Sequence, residues 1–128
     1  MDADPRVLVA RLVASDAVLA SRVATARSTW ARFRGLMGRA GLDDGEGLWF
    51  PGDASIHMFF MRIPIDAVFL APSDEAATWR VVAIRPGLRP WRDVVWWVRG
   101  ARGCLELASG VTARAGLSAG DLIRLEPA

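Results

Sequence analysis

The chain has 128 residues, of which 52% are hydrophobic, and this length and composition predict one globular domain over residues 1–128 with a single core. All 16 basic residues are arginine and are interspersed with 14 acidic residues, so the formal net charge is only +2. Because no basic block stands out, we expect no binding to nucleic acid. The single cysteine excludes an intrachain disulfide and a multi-cysteine zinc site.

Neither a signal peptide nor a membrane span is predicted. Residues 1–6 are acidic where a signal peptide would be positive, and charged residues interrupt the apolar segment that follows. No stretch approaches the roughly 18 consecutive apolar residues that a transmembrane helix needs. We therefore expect a soluble protein in the cytoplasm.

The predicted elements are mostly short strands. Segments rich in valine and leucine predict two antiparallel strands at 6–13 and 18–25, and large apolar residues at helical spacing predict one sizeable helix at 26–38. Six further strands are predicted at 48–50, 55–61, 65–70, 78–84, 103–107 and 122–125. Residues 85–90 have loop composition, 93–98 form another strand or an apolar loop, and 109–115 form one or two helical turns.

This order of elements predicts a mainly β fold, α+β by content. Strands and helices do not alternate regularly, which argues against a doubly wound sheet. We expect a small antiparallel β-sandwich or barrel of about eight short strands with one helix.

The densest apolar run, residues 57–70, contains three polar side chains among residues that favour burial. These are His57, Arg62 and Asp66. A buried charge is costly unless it is paired or hydrogen-bonded, so the three form either a structural clasp or a functional site. We predict a hairpin with residues 62–64 at its turn. Its register decides whether Asp66 shares a face with His57, since a one-residue slip reverses every side chain.

Motifs along nearly the whole chain resemble a known family. In order they lie at residues 32–39, 47–50, 57–70, 105–107 and 120–121. They resemble the uncharacterised family called domain of unknown function 192. The resemblance implies a small, mainly β sandwich or barrel that is widespread in bacteria and other prokaryotes and has no established activity. Many relatives carry an export signal, which is not predicted here, and Met58 stands where similar sequences often have threonine.

His57 is the first candidate for catalysis, because histidine titrates near neutrality and can carry a proton. Asp66 or Glu106 would act with it, as in a small hydrolase. The alternative is a half-buried His57 bonded to backbone, with Asp66 paired to Arg62 or capping the turn. Because no catalytic motif surrounds these residues, the sequence leaves open whether the chain is an enzyme. No spacing typical of metal ligands occurs, so we predict no metal site and no cofactor.

A non-catalytic binding domain for a small molecule or a protein is the leading hypothesis. Its predicted surface combines the 57–66 hairpin with the polar and aromatic loop at 89–92, since recognition residues favour loops on a rigid sheet. The candidate ligand-binding residues are His57, Arg62, Asp66, Arg34, Arg39, Arg89 and Trp91. Alternatively, Arg34 and Arg39 pair internally with Glu106.

Trp96 and Trp97 introduce a third hypothesis. Adjacent residues of a strand point to opposite faces, so at least one of these side chains lies outside the core. An exposed tryptophan covers a barrel end, stacks on a sugar, or is buried against a partner protein, which includes a second copy of the chain in a homodimer. Cys104 has no activating neighbour in its predicted strand and is interpreted as a buried structural thiol.

Overall fold

A computed structural model describes residues 7–25, 42–57 and 63–128, with the backbone alone at residues 56 and 57. Within these ranges the chain forms nine strands and one short helix. In order they are β1 (Leu8–Leu12), β2 (Val18–Thr25), β3 (Glu46–Pro51), β4 (Ile56–His57), β5 (Ile65–Pro72), β6 (Thr78–Leu88), β7 (Val94–Val95), β8 (Gly103–Ala108), α1 (Val111–Ala115) and β9 (Leu122–Pro127). The predicted helix at 26–38 lies outside the described residues.

Seven of these strands close into a barrel in the order β1-β2-β3-β8-β5-β6-β9, while β4 pairs with β7 in a separate two-stranded sheet. The prediction of a mainly β fold is confirmed, and of its two predicted architectures the barrel is the one that forms. The antiparallel prediction is wrong for one pair, because β2 and β3 run parallel. A parallel pair needs a long crossover, and residues 26–45 connect these two strands.

Strands β5 and β8 of the barrel are buried on both faces, and each face has its own apolar cluster. Side chains alternate along a strand, so Val68 and Leu105 point into the barrel interior. Phe69 and Cys104 point to the outer face, where buried residues of the segments between β3 and β4 and between β7 and β8 pack on them. Cys104 is buried there, as predicted.

The predicted hairpin within residues 57–70 is wrong. Strand β4 pairs with β7, with His57 opposite Val94, whereas β5 has β6 on one side and β8 on the other. Both edges of β5 are therefore occupied. A short run that is apolar on both faces suits a central strand, but its periodicity does not identify its neighbours.

Strand β6 continues beyond its predicted end, through a segment predicted to be a loop. Ile65 lies opposite Leu88 and Ala67 opposite Arg85, which leaves one extra residue on β6 and so makes a β-bulge. The bulge contains a proline, which is tolerated there because no ladder hydrogen bond is lost. It also contains Gly87 at φ +60°, a conformation that glycine adopts without strain.

Candidate functional site

Asp66 lies at one end of the barrel, and its side chain is fully buried. Its Oδ1 accepts a hydrogen bond from the N–H of Gly87 at 2.8 Å. Its Oδ2 accepts three, from the N–H of Gly110 at 3.1 Å, the N–H of Thr112 at 3.0 Å and the hydroxyl of Thr112 at 2.7 Å. Four donors thus converge on a group that has about four acceptor sites. Asp66 joins β5 to the bulge of β6 and to the start of α1.

These contacts fit a structural clasp, although its partners differ from those predicted. Asp66 was predicted to pair with Arg62 or to cap the turn after Pro64, and neither Gly110 nor Thr112 was identified as its partner. Gly110 lies within the predicted helical turns at 109–115, whereas in the structure it precedes α1 at φ +96° and supplies no side-chain cap of its own.

Glu106 and Asp66 lie on opposite faces of the sheet. In the register of β5 and β8, Asp66 is opposite Leu107, which belongs to the interior cluster, and Ala67 is opposite Glu106. Cross-strand partners project to the same side, so Glu106 projects to the outer face. Its side chain is buried there. The two carboxylates occupy separate environments, and each would have to act without the other.

The remaining predicted site residues divide into two groups. Outside the described residues lie Arg34, Arg39 and Arg62. The backbone of His57 pairs with Val94, and β4 therefore lies beside β7, which follows the loop that contains Arg89 and Trp91. The structure therefore places the 89–92 loop directly before the strand that pairs with the backbone of His57, and it places the Asp66 side chain at the barrel end.

The aromatic loop, which we define as residues 89–102, carries the most exposed large apolar side chains of the described chain. Trp91 is 57% exposed, Trp96 81% and Trp97 72%. Trp96 and Trp97 follow β7 instead of lying within it, so the alternation expected of a strand does not apply to them. Both side chains are exposed, where the prediction required only one.

The backbone of the aromatic loop is held on both sides of the exposed pair. Before it, Val95 pairs with Ile56. After it, the N–H of Val98 donates to the carbonyl of Ala54 at 2.8 Å, and the Val98 side chain is buried in the outer cluster. The two tryptophans between these points therefore project from fixed backbone.

Residues 89–93 form a closed turn around an ion pair. Arg89 donates from Nε to Oδ2 of Asp93 at 3.1 Å and from Nη2 to Oδ1 at 3.0 Å, and its backbone N–H donates to the same Oδ2 at 2.6 Å. Trp91, inside this turn, has φ +66°, a left-handed conformation that bulky residues rarely adopt. Backbone strain of this kind is concentrated at functional sites. The role of Asp93 was missed, although its spacing of four residues from Arg89 was a visible signal.

The ion pair lowers the pKa of Asp93 below its usual 3.8, chiefly through the hydrogen bond from the Arg89 side chain and then through the backbone N–H of Arg89. Because the pKa of Asp93 is lowered, its ionised carboxylate stabilises the turn at every pH above the ordinary pKa. This stabilisation is lost as the pH falls through the lowered pKa. We expect the turn to persist from neutral pH down to about pH 4 and to open only in stronger acid. An NMR titration of the Trp91 indole N–H measures this. A transition near pH 6, or the same acid transition in Asp93→Asn, would contradict it.

The family model for DUF192, described as "Uncharacterized ACR, COG1430", matches residues 11–125. The chain belongs to this family. The predicted resemblance is therefore confirmed over nearly the whole sequence.

Two solved structures share the fold of this DUF192 chain. A protein of unknown function from Novosphingobium aromaticivorans DSM 12444 is 26% identical, with a TM-score of 0.74 over 95% of this chain and 93% of its own. A protein from Sinorhizobium meliloti 1021, described as a "putative transcription regulator", is 27% identical, with a TM-score of 0.74 over 98% of each chain. No curated protein matches the chain.

Two cavities of the DUF192 chain lie away from Asp66, Glu106 and the aromatic loop. One of about 300 Å³ lies between β2 and α1, beside an ion pair of 3.2 Å between Asp44 and Arg114. The other, of about 190 Å³, lies beside β3. Neither is lined by Asp66, by Glu106 or by a residue of the aromatic loop.

The described part of the DUF192 chain has neither a metal-binding cluster nor a membrane-spanning helix. No three histidine, cysteine, aspartate or glutamate side chains gather there closely enough to hold a metal ion. Nor does that part contain a helix with the length and apolar character needed to cross a bilayer.

Proposed function

We propose that this DUF192 chain is a non-catalytic binding module whose recognition surface is the aromatic loop. The observation that carries the proposal is the exposure of Trp91, Trp96 and Trp97 on backbone that is held in place. At about 250 Å² per tryptophan side chain, the three expose on the order of 500 Å² of aromatic surface. So much exposed aromatic surface within one short segment favours an interaction site there.

The aromatic loop also concentrates positive charge. It contains four arginines and one aspartate, a formal net charge of +3, whereas the whole chain carries +2. Its four arginines are all exposed, namely Arg89, Arg92, Arg99 and Arg102. Asp93 is already paired with Arg89. A surface of this charge favours a negatively charged partner, whether a small molecule or a macromolecule.

The enzymatic alternative, a small hydrolase that uses His57 with Asp66 or Glu106, has less support. A general base must reach a proton of the substrate with an available lone pair. The carboxylate of Asp66 already accepts four internal hydrogen bonds, and Glu106 is buried on the opposite face of the sheet. We therefore assign Asp66 a structural role and place the binding function at the aromatic loop.

The description of the Sinorhizobium relative as a transcription regulator raises DNA binding as another alternative. Many such proteins read the major groove with a helix. In the described part of this chain the helix α1 has five residues, which is little more than one turn. We do not propose nucleic acid as the partner, and an oligonucleotide serves as a test case below.

A panel of anionic probes tests the binding function. It contains a heparin oligosaccharide, poly-L-glutamate, a single-stranded oligonucleotide and phosphatidylglycerol vesicles, each at low salt because screening weakens exposed charges. We expect the full chain to bind at least one probe and the W96A/W97A variant to bind it at least about tenfold more weakly, since exposed tryptophans dominate many interfaces.

The matched control is Val18→Ala, which removes an exposed apolar side chain outside the aromatic loop. It should bind like the wild type. Both variants change only exposed side chains, so their thermal unfolding should stay close to that of the wild type. Binding to none of the probes, or equal binding by W96A/W97A and the wild type, would remove the proposed function.

A further inference from the structure

We propose that the partner of the aromatic loop is the interfacial region of an anionic lipid bilayer, to which the chain docks from one side without crossing it. This inference rests on the proposed binding function and specifies the class of its partner. It is carried by two features of the loop: its exposed tryptophans and the arginines that flank them along the chain.

The tryptophans have the chemistry of the membrane interface. An indole ring is apolar over most of its surface but keeps one N–H donor, so it favours the headgroup region over both water and hydrocarbon. Trp96 and Trp97 are consecutive in the chain and are the two most exposed large apolar residues of the described chain. The backbone is held at Val95 and Val98, on either side of the pair, so a bilayer would meet these exposed side chains on a loop that is already ordered.

The arginines complement anionic headgroups. A guanidinium group binds a phosphate with two parallel hydrogen bonds, and basic residues near a membrane are attracted by its negative surface potential. Arg89 is committed to Asp93 in the turn. Arg92, Arg99 and Arg102, all exposed, remain as the residues that would contact phosphates.

The charge of the loop weighs against a second copy of the chain as the partner. A symmetric homodimer through Trp96 or Trp97 would bring two aromatic loops of formal net charge +3 together, and like charges across an interface repel. Docking on an anionic bilayer needs only inserted apolar side chains and electrostatic attraction, and the loop supplies both.

Vesicle co-sedimentation tests this inference. The full chain is mixed with vesicles of phosphatidylcholine alone and of phosphatidylcholine with about 30% phosphatidylglycerol, a fraction that gives a negative surface. We expect binding to the anionic vesicles, at least about tenfold weaker binding to the neutral ones, and quenching of tryptophan fluorescence by brominated lipids. The W96A/W97A variant should lose both binding and quenching, and R99Q/R102Q should lose most of the preference for anionic vesicles. The control V18A should behave as the wild type.

Every other result overturns the inference in an identifiable way. Binding to heparin, to poly-L-glutamate or to the oligonucleotide, but not to vesicles, removes the bilayer and leaves the binding function standing. Binding to no probe removes both. Equal vesicle binding by W96A/W97A and the wild type moves the contact away from the aromatic loop. A dimer mass in ultracentrifugation that falls to a monomer mass in W96A/W97A assigns the tryptophans to a second copy of the chain. Unchanged circular dichroism confirms that the variants are folded.

Discussion

Replacing Asp66 by alanine is expected to lower the free energy of unfolding by about 3 to 5 kcal/mol. The change removes the acceptor of four hydrogen bonds, three of them from backbone N–H groups that have no other partner within the clasp. A buried donor without a partner costs about 1 to 3 kcal/mol, and relaxation of the barrel end recovers part of the total. Urea denaturation of the wild type and of Asp66→Ala at neutral pH measures the difference.

Two conservative variants separate the contributions at this clasp. Asp66→Asn keeps the size of the side chain but places an amide NH2 among four donors, so we expect an intermediate loss. Thr112→Ser keeps the hydroxyl that donates at 2.7 Å and should cost about 1 kcal/mol or less. Wild-type stability in Asp66→Ala would contradict the clasp and return Asp66 to the candidate catalytic residues. Vesicle binding that survives in Asp66→Asn would confirm that clasp and aromatic loop work separately.

The positions of several strands were predictable from local sequence pattern, but the pairing of one strand with another was not. The predicted strand at 18–25 coincides with β2, and predicted strands at 65–70 and 103–107 lie within β5 and β8. Composition and alternation identify such segments residue by residue. The pairing of β5 with β8 instead of β4 depends on contacts between residues about 40 positions apart, which no local pattern contains.

In the candidate site, too, features set by local composition were predictable and contacts between distant residues were not. Arg89 and Trp91 were predicted from loop composition, and the structure places both on an exposed turn. The exposure of Trp96 as well as Trp97 depends on where β7 ends, and strand ends are poorly determined by sequence. The partners of Asp66 lie 21 to 46 residues away along the chain, so only the folded barrel reveals them. The roles proposed for Arg34, Arg39 and Arg62 stay predictions.

Gly103→Ala is expected to destabilise the barrel by about 2 to 3 kcal/mol, because the interior at this position has no room for one more carbon. A Cβ at Gly103 would overlap the Cη2 atom of Trp49 and lie 2.8 Å from two further atoms of its ring. That ring cannot move away freely, since it is buried and packs edge-to-face on Trp79 with ring centroids 4.8 Å apart. The matched control is Gly45→Ala, where the new Cβ would meet only a side-chain hydroxyl at 3.2 Å. We expect that change to cost well under about 1 kcal/mol.

A double-mutant cycle identifies the cause of this cost. Trp49→Phe removes the ring atoms that a Cβ at Gly103 would meet, so the double variant W49F/G103A should be more stable than the sum of the two single losses by about 1 kcal/mol or more. An additive cycle would mean that the cost at Gly103 has another origin.

Gly103 directly follows Arg102, the last residue of the aromatic loop, whose N–H donates to the carbonyl of Leu70 at 2.7 Å. If Gly103→Ala displaces Trp49 alone, vesicle binding survives the loss of stability; if it displaces the strand, the aromatic loop moves with it and binding falls.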